Sequence, residues 1–248
     1  MFGEKHIIIL GICLAAIILL SILSRKVKLA AVCKMLLVIG IISEIVKIVY
    51  YITANEETHG GILPKTDLPF HLCSIQILLI TIVNVVPNEK IKRFIFSFMM
   101  PSCLFGGIAA LLIPTTSSLN GGIAITLQYF GYHVSIIVFA IKLMFSAEFK
   151  RTVKDYFNCL KFLLVMMFFA IYINSILYDG VSNINYMYVA SPPQEGLPFL
   201  NENHGWLVYI AHYACLVLFC VTLFYIKPIC SAIFCKKKTE EEKEQPEE

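Results

Sequence analysis

Apolar residues run along this chain in seven long blocks, 7–23, 29–53, 69–86, 94–113, 122–145, 160–178 and 205–226, separated by short polar segments. A bilayer core takes about 20 apolar residues as a helix, and backbone groups in hydrocarbon must pair within their own segment. The pattern predicts an all-α membrane protein, a seven-transmembrane-helix bundle forming a single domain over residues 1–235. Residues 236–248 are mostly Lys and Glu. With almost nothing to bury, they read as a charged, disordered cytoplasmic tail.

Composition narrows the class in the same direction. With 58% hydrophobic residues, 15% charged residues and a mean hydropathy of +0.77, the chain is too apolar for a soluble globular domain. The first block has the position of a signal peptide but is long, lacks a small-residue cleavage site and is followed by Arg25, Lys26 and Lys28. It reads as a retained anchor.

Charge then orients the spans, because cytoplasmic loops collect Lys and Arg. Arg25/Lys26/Lys28, Lys90/Lys92/Arg93, Lys150/Arg151/Lys154 and Lys227 with Lys236–Lys238 mark alternate connections and the C-terminus. The other loops carry Glu56, Glu57 and Asp67, or no charge, or Asp179, Glu195 and Glu202. The expectation is an outside N-terminus and a cytoplasmic C-terminus.

Nine cysteines, an odd number lying mostly within the apolar blocks, imply no disulfide framework. No CxxC, HExxH, Walker loop or dinucleotide fingerprint occurs, so no metal and no cofactor is expected. The glycine pairs Gly60-Gly61, Gly106-Gly107 and Gly121-Gly122 fall at helix ends or packing faces. Nor does any internal repeat align, which weakens a transporter built from inverted halves.

Polar residues inside a membrane are costly and are functional candidates by default. In the derived orientation they crowd into the outer half. Cys73 and Gln76 open the third span, Gln128 and His133 lie on the fifth, His204 and His212 begin the seventh, and Asn185 and Tyr186 follow the sixth. Glu44 and Lys47 enter from the second span with the i,i+3 spacing of an ion pair.

Each also has a structural reading. A membrane cysteine is commonly a small hydrophobe, and a membrane histidine can be a hydrogen-bonded core residue. His71 can be an interfacial contact, and Glu44–Lys47 a pair that lets a charged helix insert. Pro101 frees the Ser97 carbonyl, as a packing kink or as a gate.

Cysteine with histidine is the arrangement for nucleophilic acyl transfer: a base takes the thiol proton and the thiolate takes the acyl group. A helix N-terminus favours the thiolate, and Pro69 at or near the first helical position supports that placement for Cys73. If the helix has begun by His71, its i,i+2 relation to Cys73 aims the two side chains apart. His133 approaches from another helix, with Tyr129 and Tyr132 hydroxyls to hold it. At 1.5 Å per residue, Cys73 lies about 6 Å into its span and His133 about 16 Å into its own. Tilt or an early helix start must close that gap, and His212, about 10 Å down its span, is the substitute base.

Pro69-Phe70-His71-Leu72-Cys73, with Asn185-Tyr186-Met187-Tyr188 after the sixth span, resembles the YwaF family of bacterial integral membrane proteins. That family is related to eukaryotic transmembrane protein 164, which moves acyl chains between phospholipids with a cysteine nucleophile. The resemblance runs from about the second span to the seventh. The family often continues the second motif with Lys-Pro, where this chain has Ser191-Pro192, which removes any headgroup contact by that lysine. A more distant similarity is to membrane hydrolases of fatty-acid esters of hydroxy fatty acids, whose threonine and histidine lie two helices apart, as Cys73 and His133 do.

The resemblance implies Cys73 as nucleophile and His133 as base, with Glu44, His71, Gln76, Asn185, Tyr186 and His212 lining the pocket. It implies an outer-leaflet phospholipid or lysophospholipid as substrate, transfer to a lysolipid or release to water, and a bacterial plasma membrane location. Neither nucleic acid nor a protein partner is expected. A small-solute transporter or channel, or a seven-span sensor, would use the same pocket without turnover. For a transporter, Cys73→Ser keeps activity and Glu44→Gln or Lys47→Met abolishes it.

Overall fold

Leucine, isoleucine and valine cover the outside of this protein, while serine, glutamine, histidine and aspartate are found inside. Ile7, Ile12, Leu19, Val38, Ile45, Leu78, Val165, Phe168 and Leu218 are exposed, whereas Gln76, Ser97, Ser102, His133 and Asp155 are buried. Apolar side chains such as Phe98, Met99 and Ile136 also fill the core, so the chain is apolar inside and out, as a lipid solvent allows.

A computed structural model describes residues 3–53, 62–193, 200 and 205–244, with side chains described as far as residue 233. It consists of α1 (Glu4–Ser24), α2 (Leu29–Thr53), a 3-10 turn (Lys65–Asp67), α3 (Leu72–Val85), α4 (Glu89–Leu112), the short α5 (Thr116–Asn120), α6 (Ile123–Phe145), α7 (Val153–Leu177), a second 3-10 turn (Tyr186–Tyr188) and α8 (Trp206–Glu244). No strand occurs among the described residues. Six helices are long and apolar enough to cross a membrane. The third predicted span is shorter: α3 has 14 residues, about 21 Å of helix.

Helix boundaries depart from the apolar blocks where polar caps extend the helices. Asn88 Oδ1 accepts from Lys90 N and Ile91 N, so α4 begins at Glu89 instead of residue 94. Thr152 and Asp155 form a reciprocal capping box, so α7 begins at Val153 instead of residue 160. The helix expected to end at residue 226 continues through Pro228 to Glu244, beyond residue 236 where the tail was drawn.

α6 is the centre of the bundle and packs on α4, α2 and α1, while α7 and α8 close the far side of α4. Gly107 makes the α4–α6 approach possible, since a Cβ there would come within 2.5 Å of Ile137 Cγ1. α1 buries His6 and Cys13 and is tied at both ends. His6 Nε2 meets the Leu111 carbonyl at 2.9 Å, and Lys142 Nζ donates to the Ser24 and Arg25 carbonyls at 3.1 and 3.2 Å. A lysine at a helix C-terminus satisfies carbonyls that have no intrahelical partner.

The basic turns gather at one end of the bundle. There Arg93 grips Asp155 through Nε–Oδ1 at 2.8 Å and Nη2–Oδ2 at 2.6 Å, and Arg93 also reaches the Lys150 carbonyl. Arg151 donates to the Phe224 carbonyl, and Leu29 N to Glu148. Asp155 is fully buried and both caps α7 and pairs with Arg93. Asp155→Ala is therefore expected to destabilise the protein by about 3–5 kcal/mol, read as a lowered thermal midpoint in detergent.

Pro101 lies within α4. The Ser97 carbonyl that it deprives of an amide partner accepts instead from Tyr225 Oη at 2.8 Å, inside the bundle. The proline is a packing feature with its vacancy filled by another helix. Tyr225→Phe should leave that carbonyl unpaired and cost about 1–3 kcal/mol in the same melting assay, with Pro101→Ala partly restoring the loss.

Candidate active site

α3 begins at Leu72, with His71 as its N-cap in an extended conformation (φ −69°, ψ 153°). The first helical bond runs from Ile75 N to the His71 carbonyl at 3.0 Å, so Cys73 occupies the first turn, among amides with no intrahelical acceptor. The helix was expected to start near Pro69. Leu68, which precedes that proline, is extended (φ −62°, ψ 155°), and the chain reaches Leu72 through a turn. Two consequences follow. Cys73, partly exposed, is at the positive end of α3. His71 lies outside the helix, so the i,i+2 argument that aimed it away from Cys73 does not apply.

Tyr132 Oη donates to the Cys73 carbonyl at 2.7 Å. This contact ties the first turn of α3 to α6 at the residue that precedes His133. His133, the next residue, is 4% exposed, and its Nδ1 is 2.6 Å from the Tyr129 carbonyl. A carbonyl only accepts, so Nδ1 carries the proton and Nε2 of the neutral ring presents a lone pair. The expected hydroxyl partners act elsewhere: Tyr129 Oη donates to the Ala110 carbonyl and Tyr132 Oη to Cys73. It is the Tyr129 backbone that holds the imidazole.

The same reasoning fixes His71. Its Nε2 meets the Thr66 carbonyl at 3.2 Å, leaving Nδ1 as the acceptor, and its ring packs on Tyr186 with centroids 4.6 Å apart. No hydrogen bond joins Cys73 to either histidine among the described residues.

Glu44 and Lys47 form the expected ion pair at 2.6 Å, with 22% and 14% of their side chains exposed. The Lys47 ammonium is within electrostatic reach of both Cys73 and His71. Gln76, 1% exposed, donates to Ser102 Oγ at 3.0 Å and accepts from Cys103 Sγ at 3.2 Å, which locks α3 to α4. Gln128 donates to Ser43 Oγ at 2.7 Å. Asn185 is used within its own loop, donating to the Ser191 carbonyl and hydroxyl and accepting from Ala190 N. Ser191, where the related motif has lysine, thus closes the loop. His212 is exposed on α8, with Tyr209 and Tyr213 facing inward. It makes no hydrogen bond or ring contact to the Cys73 cluster among the described residues. His204, Glu56, Glu57, Gly60-Gly61, Glu195 and Glu202 lie outside the described residues.

The loop after α7 contributes most of what sequence reasoning missed. Met187 and Tyr188 are left-handed, at φ 56° and 53°, which costs non-glycine residues about 1–3 kcal/mol each. Side chains from two helices hold them there. Asn174 clamps the Tyr186 backbone through N–H···Oδ1 at 2.7 Å and Nδ2–H···O at 3.2 Å. The Met187, Tyr188 and Val189 carbonyls accept in turn from Tyr213 Oη, Tyr209 Oη and Trp206 Nε1.

Tyr186 Oη donates to the Lys65 carbonyl, tying this loop to the one before Cys73. Asp179 ties the same loops through Lys65 at 2.9 Å. The Ser182 amide, then Lys65, then the Val181 amide and Ser182 hydroxyl hold the Asp179 carboxyl well below the usual carboxylate range. The strap therefore stays charged through neutral pH.

A cavity of about 340 Å³ lies at the basic end, lined by Leu29, Cys33, Lys34, Asn84, Lys92 and Glu148 among others. It lies against the last turn of α3, at the other end of that helix from Cys73, so it is not the site of the Cys73 chemistry.

The model of the TMEM164 family matches residues 1–225, nearly the whole chain. The chain belongs to the TMEM164 family. The match includes α1, which the resemblance in the sequence motifs did not reach. No curated protein and no solved structure matches the chain. As a member of the TMEM164 family with six long apolar helices, it is a multi-pass membrane protein.

Proposed function

We propose that this TMEM164-family protein transfers acyl chains on phospholipids or lysolipids through a covalent acyl-Cys73. The observation that carries this reading is a half-buried cysteine in the first turn of α3, bonded through its carbonyl to Tyr132, the neighbour of a histidine whose tautomer leaves a basic nitrogen. In the proposed step, His133 Nε2 takes the Cys73 proton and the thiolate attacks an ester carbonyl. The ester C–O bond breaks, and the leaving oxygen takes the proton from His133. A lysolipid hydroxyl then repeats the sequence on the thioester.

Lys47, held by Glu44, offers a cation for the lipid phosphate. Gln76, Asn185 and Tyr186 support the walls, and His212 is assigned to the surrounding lipid. His71 is a second base, favoured by its position at the N-cap beside Cys73.

The proposed topology has the N-terminus outside and the C-terminus inside a bacterial plasma membrane, with seven crossings and the site opening to the outer leaflet. Supporting it, the basic turns lie at the bundle end opposite Cys73. An ester carbonyl lies near the headgroup boundary, where the N-terminus of α3 would be.

The reading is tested with a fluorescent acyl-thioester lipid probe on membranes carrying wild type or Cys73→Ala. Wild type becomes labelled and the variant does not. Equal labelling of the two contradicts the proposal, and ligand binding without any Cys73-dependent labelling favours the transporter or sensor.

A further inference from the structure

Resting on the acyl-transfer reading, we propose that the Tyr188 hydroxyl is a catalytic hydrogen-bond donor to the carbonyl oxygen of the lipid ester attacked at Cys73. The loop that carries it is an aiming device. Four observations converge on this role.

Tyr188 and Met187 are both in the left-handed region, a conformation that persists in such residues only when the surroundings enforce it. The enforcement is unusually complete. Both backbone groups of Tyr186 bond to the Asn174 amide, and the next three carbonyls each receive a side-chain donor from α8.

Donors spent on the backbone leave the Tyr188 side chain as what the turn presents. Its ring lies against His71, with centroids 6.2 Å apart. Its phenol is within electrostatic reach of Cys73 and of Tyr129. The neighbouring hydroxyls are committed: Tyr186 Oη to Lys65, Tyr132 Oη to Cys73, Tyr129 Oη to Ala110. Tyr188 Oη makes no hydrogen bond among the described residues, and the side chain keeps 38% of its surface open. An open donor packed against the N-cap histidine of the nucleophile's helix is what an incoming carbonyl requires.

In the step itself, Cys73 sulfur bonds to the ester carbon and its proton passes to the base. The carbonyl electron pair moves onto oxygen, where the Tyr188 O–H donates to it. Collapse restores the C=O and expels the lysolipid oxygen, which takes the proton from the base. Tyr188 remains neutral throughout.

The test compares two reactions at one sulfur, using the full chain in phosphatidylcholine vesicles and mass spectrometry of the Cys73 peptide. Acylation from phosphatidylcholine with a labelled acyl chain forms an oxyanion, whereas alkylation by iodoacetamide does not. Tyr188→Phe is expected to slow acylation by about 10² to 10³, the scale for losing one oxyanion donor, and to leave alkylation unchanged. Tyr209→Phe, which removes the hydroxyl that donates to the Tyr188 carbonyl and keeps the Tyr188 phenol, is expected to slow acylation less.

Equal acylation of wild type and Tyr188→Phe overturns this inference alone. Parallel loss of acylation and alkylation in Tyr188→Phe also overturns it, since the tyrosine would then act on the thiol or on the fold. Absence of Cys73 acylation in wild type, with alkylation intact, overturns the acyl-transfer reading and this inference with it.

Discussion

Cys73→Ser lowers acyl transfer by more than about 10³, the scale on which loss of a nucleophile acts in acyl-transfer enzymes. The substitution changes one atom and preserves the first turn of α3, including the bond from Tyr132 Oη, which uses only the backbone carbonyl of residue 73. What changes is the nucleophile itself: a thiol gives up its proton to a base far more readily than an alcohol does. The check is the hydroxylamine-sensitive acyl adduct on the purified protein, present in wild type and absent in the serine variant, with both melting at the same temperature. A serine variant with full activity would make Cys73 a packing residue.

His133→Gln lowers kcat by about 10² to 10⁴, the range for removing a positioned general base. Glutamine can still occupy the buried site and donate to the Tyr129 carbonyl, so the fold is preserved while the Nε2 lone pair is lost. His71→Gln provides the contrast. With His133 as base, His71→Gln weakens substrate binding and raises KM, because its contacts are the Thr66 carbonyl and the Tyr186 ring in the loop over Cys73. If the kcat loss follows His71 instead, the N-cap histidine is the base and His133 is a core residue. Measuring both variants at saturating lipid separates these outcomes.

How much of this was legible depends on the range of the interaction. Glu44–Lys47 was readable because an i,i+3 pair is set by one helix. The α7 capping box was equally local, with Thr152 and Asp155 three residues apart, but apolar windows pass over it. The start of α3 was misplaced because Pro69 fits a first helical turn as well as it fits the turn before one. Three residues there reverse the reading of His71.

His212 was ranked by depth alone. Helix phase is a separate criterion: Tyr209, Tyr213, Val217, Val221 and Tyr225 recur every fourth residue toward the bundle, and His212 is off that line. The donors holding Met187 and Tyr188 come from residues 21 and 26 positions away. Local propensity carries no trace of them, and nothing in Asn185-Tyr186-Met187-Tyr188 announces a left-handed turn. A run of tyrosines at i,i+4 on an apolar helix was the one available signal, because a buried phenol needs an acceptor.

The Pro101 ambiguity also resolved at long range. The Ser97 carbonyl and Tyr225 are 128 positions apart in sequence, yet the hydroxyl bonds to the carbonyl that the proline leaves free. A gate at that point would have to break a buried hydrogen bond each time it opened.

The most direct test of the central claim is transfer of a labelled acyl chain from phosphatidylcholine to lysophosphatidylcholine in vesicles containing the purified full chain. Wild type is predicted to produce labelled acceptor lipid through an acyl-Cys73 intermediate, and Cys73→Ala to produce none above protein-free vesicles. Equal product from wild type and Cys73→Ala, or none from either in protein that retains its melting transition, would contradict the account.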